Sequence, residues 1–346
     1  MTQTDKKIVE GILRKAEALC PEVLDMIGVY GSAATGDIHD KSDLDLLILI
    51  NDPKGYILAD GFILEDIGIG YDIYCTTWES LEDDAKCGYG HISKLMDSKL
   101  LYVREDSLTA RLNTLREKAA AVLSSDECRE RALEAFDTAR KFFADCITED
   151  FDSSVRKYSA AVISCILDAI ILWNGNYFKR GVKRTFEELA ELKLPFDIES
   201  LIMSVIRAEE REDIKTCLTE LMKAIKDYLV LPCEKEAPSK DNIRGTYEEM
   251  YSNWRNKMPE AAQRGDLYSS FMNMASCQYM FDGIASGLDI DKIDIMARFD
   301  PNDLYGNGAA FDSALRLYLE EYRKAGISPR CFANIDEYLE DYLKDI

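Results

Sequence analysis

Asp43 and Asp45 stand two residues apart at the head of an apolar run, Leu44 and Leu46 to Ile50, and ten residues separate them from a Gly31-Ser32 pair. A Leu- and Ile-rich run bounded by turn residues reads as a buried strand. Side chains two apart in a strand project to the same face, so both carboxylates leave the strand's start together. Held that close they repel unless a cation lies between them. Magnesium suits such a pair, because it is a hard ion that takes oxygen ligands and keeps substrate phosphates in its shell. Upstream, residues 23–30 read as a first strand, and Gly31 permits the turn after it. Residues 32–38 then make a short helix whose N-terminal amides face an anion. The residues and their spacing thus describe a place for a metal and a phosphate.

The elements that must hold these groups can be read along the chain. An amphipathic helix over residues 5–19, with Ile8, Ile12, Leu13 and Leu19 on one side and Pro21 ending it, precedes the first strand. Beyond the aspartates, residues 67–75 alternate and are β-prone, with Ile67, Ile69, Tyr71 and Ile73 on one face and Gly68, Gly70, Asp72 and Tyr74 on the other. A helix from about Glu79 and a last strand over residues 99–104 complete a small mixed sheet. From Ser107 onward the periodicity is helical, with helices expected over residues 108–123, 126–146, 152–173, 185–192 and 211–229. In the third of these, Val155, Tyr158, Val162, Cys165, Ala169 and Leu172 form a core stripe. A break rich in Pro, Lys and Glu over residues 231–241 precedes further helices at 247–258, 267–284 and 310–325. The expectation is an α+β chain in three parts: a sheet domain over residues 1–106, a helical domain over 107–231 and a C-terminal helical region over 232–346.

Composition narrows the partners. The chain has 346 residues, ample for about two domains, and a formal charge of −22 with 64 acidic against 42 basic side chains. Nucleic-acid polymers are held through clustered Lys and Arg, so such a partner is not expected. A neutral or cationic small molecule is, since an acidic field attracts cations. Two histidines leave little material for a zinc site or a histidine-based triad, and His39 and His91 read as surface residues, His91 near the rim of the site at most. The ten cysteines are scattered without a Cys-x-x-Cys pair and read as reduced thiols. The polar start, with no apolar signal region and no 18-residue apolar run in the chain, leads to the expectation of a cytoplasmic protein with no membrane span. The oligomeric state is not legible.

The order Gly31-Ser32, ten residues, Asp43-x-Asp45, with Gly36 midway and Ser42 before the first aspartate, resembles the nucleotidyltransferase superfamily that includes DNA polymerase β and the kanamycin and streptomycin nucleotidyltransferases. The resemblance is specific over residues 23–105 and loose beyond, and the layout with a helical C-terminal part is similar to the antibiotic-type enzymes. It implies a third metal-binding carboxylate on a later strand. Asp72 matches best, with Asp60 and Asp66 as competitors nearby. It implies two magnesium ions on Asp43, Asp45 and Asp72, one activating a hydroxyl and the other steadying ATP or another nucleoside triphosphate and the leaving pyrophosphate. Gly31, Ser32 and Ser42 would bind the phosphates.

The same resemblance gives Lys179, Arg180, Lys183 and Arg184 a role. Four cations within six residues follow a helix that ends at Asn174-Gly175, and such a cluster across the cleft would grip the triphosphate. A basic helix end in solvent accounts for it equally well. Tyr247, Tyr251, Trp254 and Arg255 share a helical face that reads first as packing, with a substrate-facing wall as the alternative. The general base in the helical part is not identifiable, so Asp72 stands in for it. The expected reaction is transfer of a nucleoside monophosphate, AMP from ATP, to a hydroxyl of a small molecule. The alternatives are a protein adenylyltransferase and a non-catalytic nucleotide-binding or antitoxin-like module.

Overall fold

The computed structural model describes residues 1–36, 44–230 and 234–344. The chain divides into two units, Met1–Val230 and Leu231–Ile346. The first holds the sheet and the helices that cover it.

Helix α1 (Gln3–Leu19) starts at a capping box in which Thr2 and Asp5 satisfy each other's backbone N–H groups. It buries Asp5, Val9, Ile12 and Ala16. The apolar stripe read from the sequence is therefore displaced. Ile12 belongs to the buried face, whereas Leu19 is 58% exposed at the frayed end. Steps of four, three and four residues from Asp5 to Ala16 follow the helical period more closely than the larger residues did.

Four strands, β1 (Leu24–Val29), β2 (Leu46–Ile50), β5 (Cys75–Thr77) and β6 (Lys99–Val103), form one mixed sheet in the order β5-β2-β1-β6. β1 is antiparallel to β2 and β6, and β2 is parallel to β5. Every residue of β1 and β2 is buried. The two faces of β2 enter different cores: Leu46, Ile48 and Ile50 join α1, while Leu47 and Leu49 join α3 (Trp78–Asp84) and the helices beyond it. Cover on both sides explains the unbroken apolar run.

The segment read as one strand over residues 67–75 is divided. Its first part, β4 (Ile69–Ile73), pairs antiparallel with β3 (Asp60–Leu64) in a separate hairpin, and only Cys75–Thr77 crosses to β2. The sequence does not advertise β3, whose face is largely exposed and carries Gly61. Gly68, at φ 61°, makes the turn that closes the hairpin.

After the short α2 (Gly31–Thr35) and α4 (Ser93–Met96), six helices follow among the described residues of the first unit: α5 (Asp106–Leu123), α6 (Asp126–Thr148), α7 (Asp152–Trp173), the shorter α8 (Thr185–Glu191), α9 (Ile198–Arg207) and α10 (Arg211–Tyr228). The periodic pattern anticipates these, α9 excepted. In α7 the buried stripe runs through Val155, Ser159, Val162, Ile166 and Ala169, one step round from Tyr158 and Cys165. The second unit contains α11 (Lys240–Ile243), α12 (Thr246–Asn253), α13 (Met258–Arg264), α14 (Leu267–Gly287), α15 (Leu304–Lys324) and α16 (Ile335–Tyr342). The single helix expected over 247–258 breaks at Trp254, where Pro259 in the first turn of α13 starts a new axis.

The fold class is α+β: a small mixed sheet, then helices. Among the described residues nine cysteines are free thiols. No helix among them is long and apolar enough to cross a membrane.

Candidate functional site

The Gly31 turn and the start of β2 are built against each other. Gly31 sits at φ 60°, and a Cβ placed there would lie 2.0 Å from Asp45 Oδ2. Only glycine leaves the carboxylate its place. The Tyr30 N–H donates to the Asp45 carbonyl at 3.1 Å, which extends the β1–β2 pairing to the aspartate itself. Asp45 therefore continues the alternation of Leu47 and Leu49 and projects to the face that meets α3 and the later helices. Ser32 lies in the first turn of α2, whose C-terminal end is fixed by the Gly36 N–H donating to the Ser32 carbonyl and by Lys99 Nζ donating to the Ala34 carbonyl at 2.6 Å. Asp43, Ser42 and His39 lie outside the described residues.

Asp72 is exposed on β4, opposite Gly61. Two residues on, Tyr74 meets Tyr30 hydroxyl to hydroxyl at 2.5 Å. This pair joins the residue just after β4 to the residue before Gly31. Burial pushes the Tyr30 hydroxyl pKa up, and the Tyr74 contact and the charges of Asp45 and Asp84 push it further, so Tyr30 stays a neutral phenol beside the carboxylates.

Asp84, buried at the end of α3, accepts the Tyr89 hydroxyl and faces Lys94 Nζ at 3.3 Å. Tyr89 in turn has its pKa raised by burial first, then by Asp84 and Asp168. Asp168 stands on α7, half-buried, and takes the Gly90 N–H at 2.8 Å. Burial raises its carboxyl above the ordinary range, against the opposing pull of Gly90 and His91. A line of acidic and phenolic groups thus runs from Asp45 through Tyr30, Asp84 and Tyr89 to Asp168. Sequence reading passed over all of these but Asp45. One signal was present: Asp168 is the sole charged residue between Lys157 and Lys179, set in an otherwise apolar helix end.

His91 is exposed ahead of α4 and stacks on Phe178 with ring centroids 4.9 Å apart. Phe178 brings the basic segment to this loop through its N–H, which donates to the Gly90 carbonyl at 2.8 Å. The four cations do not stand as a bare patch. Buried Glu188 accepts the backbone N–H groups of Lys179 and Arg180, both at 2.9 Å, and Glu187 pairs with Arg180 at 3.2 Å and Arg184 at 2.5 Å. Lys179 Nζ lies 5.6 Å from the Tyr177 ring, and Lys183 is exposed in the turn between.

Asp25 is a carboxylate of a different kind. It is 1% exposed on β1 and accepts from Arg104 at 2.8 Å, Trp78 Nε1 at 2.6 Å and Asn51 Nδ2 at 2.7 Å. Its oxygens are consumed inside the fold.

Among the described residues no group of three His, Cys, Asp or Glu side chains forms a metal cluster by itself. The donor chemistry nevertheless fits magnesium: Asp45 and Asp72 offer carboxylate oxygens, and Gly31 keeps a cradle beside Asp45 that any Cβ would fill.

Residues 9–102 match the family model described as "Nucleotidyltransferase domain". No curated protein matches the chain. Among solved structures, the chain is similar to a nucleotidyltransferase-like protein from Exiguobacterium sibiricum, at 16% identity and a TM-score of 0.36, over 71% of this chain and 80% of that one.

Proposed function

We propose, from the premise that residues 9–102 are a nucleotidyltransferase domain, that the protein moves a nucleoside monophosphate, AMP from ATP, onto a hydroxyl of a small molecule and releases pyrophosphate. The observation that carries this reading is the packing of Asp45 against Gly31. An oxygen ligand is held at the mouth of a turn that opens a helix, which suits a magnesium-bound triphosphate on its two sides.

Magnesium, two ions in the active complex, would neutralise the triphosphate and ease ionisation of the acceptor hydroxyl. Asp45 and Asp72 would supply oxygens to it, a role the sequence motif gives to Asp43 as well. Gly31 and Ser32 take β- and γ-phosphate oxygens through backbone N–H groups and the Ser32 hydroxyl. The Tyr30–Tyr74 pair ties the residue before the Gly31 turn to the residue that follows β4.

Asp168 takes the base role for which the sequence had only Asp72. A carboxyl raised by burial binds a proton more tightly, and a base is more effective as its pKa approaches the working pH. The acceptor oxygen bonds to the α-phosphorus, the bond from that phosphorus to the β-bridging oxygen breaks, and the hydroxyl proton passes to Asp168. Lys179, Arg180, Lys183 and Arg184 steady the departing pyrophosphate. A neutral or cationic acceptor accords with the formal charge of −22.

The test is to incubate the protein with magnesium, ATP labelled on its α-phosphate, and a panel of neutral and cationic polyhydroxylated small molecules. Label transfer with equal pyrophosphate release, abolished by EDTA, is expected. Absence of transfer to every hydroxyl offered, with ATP bound, would overturn the reading.

A further inference from the structure

The second unit contains a cavity of about 740 Å³ whose wall departs from the charge of the rest of the chain. Lys240 on α11, Arg244 just after it and Arg330 ahead of α16 all face it, together with Glu248, Phe332 and Tyr338. Three cations around one opening are unusual in a chain of charge −22. Among the described residues Lys240 and Arg244 make no ion pair, and Arg330 shares its guanidinium with Asp341 at 2.7 Å.

The lone carboxylate does not cancel them. Glu248 braces the wall, accepting the Arg330 backbone N–H at 2.7 Å and the hydroxyl of buried Tyr322 at 3.2 Å. Gly245, at φ 87°, turns the chain between Arg244 and α12, so that the two cations and Glu248 come to the same opening. On the same lining Phe332 and Tyr338 meet edge to face, with centroids 5.5 Å apart, and the Arg330 guanidinium carbon lies 5.3 Å from the Phe332 ring.

We propose that this cavity binds a phosphate-bearing small molecule with a planar ring, a ligand of the mononucleotide class, at a site separate from the nucleotidyltransferase domain. Two unpaired cations match a phosphate dianion, and guanidinium and ammonium groups make charge-assisted hydrogen bonds to its oxygens. The aromatic rings of the lining offer a face or edge for a base. The volume falls within the range of about 300–1,000 Å³ common to small-molecule sites.

The test uses the full-length protein in EDTA, so that magnesium-dependent binding elsewhere is silent, and titrates AMP, adenosine and inorganic phosphate by calorimetry. AMP should bind best, with affinity about tenfold or more lower in Lys240→Gln/Arg244→Gln. Both side chains are exposed, so the variant keeps its fold, and an unchanged melting temperature verifies this. Tyr338→Leu should weaken AMP and leave phosphate unchanged, while Asp45→Asn should leave AMP affinity within twofold of wild type. AMP affinity that survives in the double variant, or that disappears in Asp45→Asn, would overturn the proposal. Equal affinity for AMP and phosphate would overturn its aromatic half.

Discussion

Asp45 and Asp168 are both carboxylates given a role in the proposed reaction, yet their surroundings ask different things of them. Asp45 is held against Gly31 where a cation would compensate its charge, and Asp45→Asn keeps shape while removing that charge. Turnover should fall by about a hundredfold or more, roughly 3 kcal/mol in the transition state, with the melting temperature preserved. Steady-state rates with saturating magnesium check this, and near-normal activity would exclude the metal role. Asp168 is raised by burial, so its native carboxyl protonates at higher pH than in the unfolded chain. The buried charge opposes folding above the native pKa, and the cost is relieved as pH falls through that value. Asp168→Asn should therefore be more stable than wild type at neutral pH, with the gain vanishing below the ordinary carboxylate range. Because a base must be ionised, kcat/KM should rise with pH through the raised pKa in wild type, and that acidic limb should be missing in the variant. A pH profile unchanged by the substitution would remove Asp168 from the reaction. The aspartate motif was legible because strand parity and a glycine turn are local. Asp168 was not, since its partners Gly90, His91 and Tyr89 are some eighty residues away in sequence, although its isolation in an apolar helix was visible.

At the scale of elements, β2 could be read because cover on both faces leaves an unbroken apolar run, β1 because its mostly apolar residues end at the Gly31 turn, and the long helices because their period is strong. The β3–β4 hairpin could not, since a two-stranded ladder with one exposed face has little hydrophobic patterning to show. What ties β1 to its neighbours is Asp25, which draws together Arg104 past the end of β6, Trp78 of α3 and Asn51 beyond β2. Asp25→Ala leaves a guanidinium, an indole N–H and an amide without their acceptor, and should cost about 3 kcal/mol or more. Urea unfolding followed by tryptophan fluorescence measures it, and a loss below about 1 kcal/mol would deny the cluster its role. The turn before α8 poses the opposite question, because its arginines already have glutamate partners. If the turn still grips pyrophosphate, Lys183→Ala/Arg184→Ala should weaken ATP binding and flatten its salt dependence. Equal calorimetric affinities at low and moderate salt would leave these cations as a helix end only.

For the molecule as a whole the charge balance decides what it can process. Holding a polynucleotide requires many phosphate contacts, each made by a Lys or Arg. With 64 acidic and 42 basic residues, and the cations of the α8 turn largely partnered, the proposed reaction would engage one triphosphate at a time. Offered a labelled primer, a tRNA and a cationic aminosugar side by side with magnesium and ATP, the protein should label only the aminosugar, and less efficiently as salt rises. Extension of either nucleic acid would refute this.

The contact between residue 31 and Asp45 also bears on how the sequence can drift. A side chain at position 31 collides with the carboxylate, so the two sites cannot vary independently while the carboxylate is present. Once position 45 becomes Gly, the collision is gone and only the modest strain of a positive φ remains, whereas Ala at 45 still leaves its Cβ 3.2 Å from the added one. Decay of a silenced copy therefore has a preferred order. Substitution at 45 opens the way for substitution at 31, and the reverse order must first drive the carboxylate out of its place. Descendants that have abandoned catalysis should show a changed residue 45 with glycine still at 31 far more often than the converse, a historical ratchet imposed by 2.0 Å of missing space.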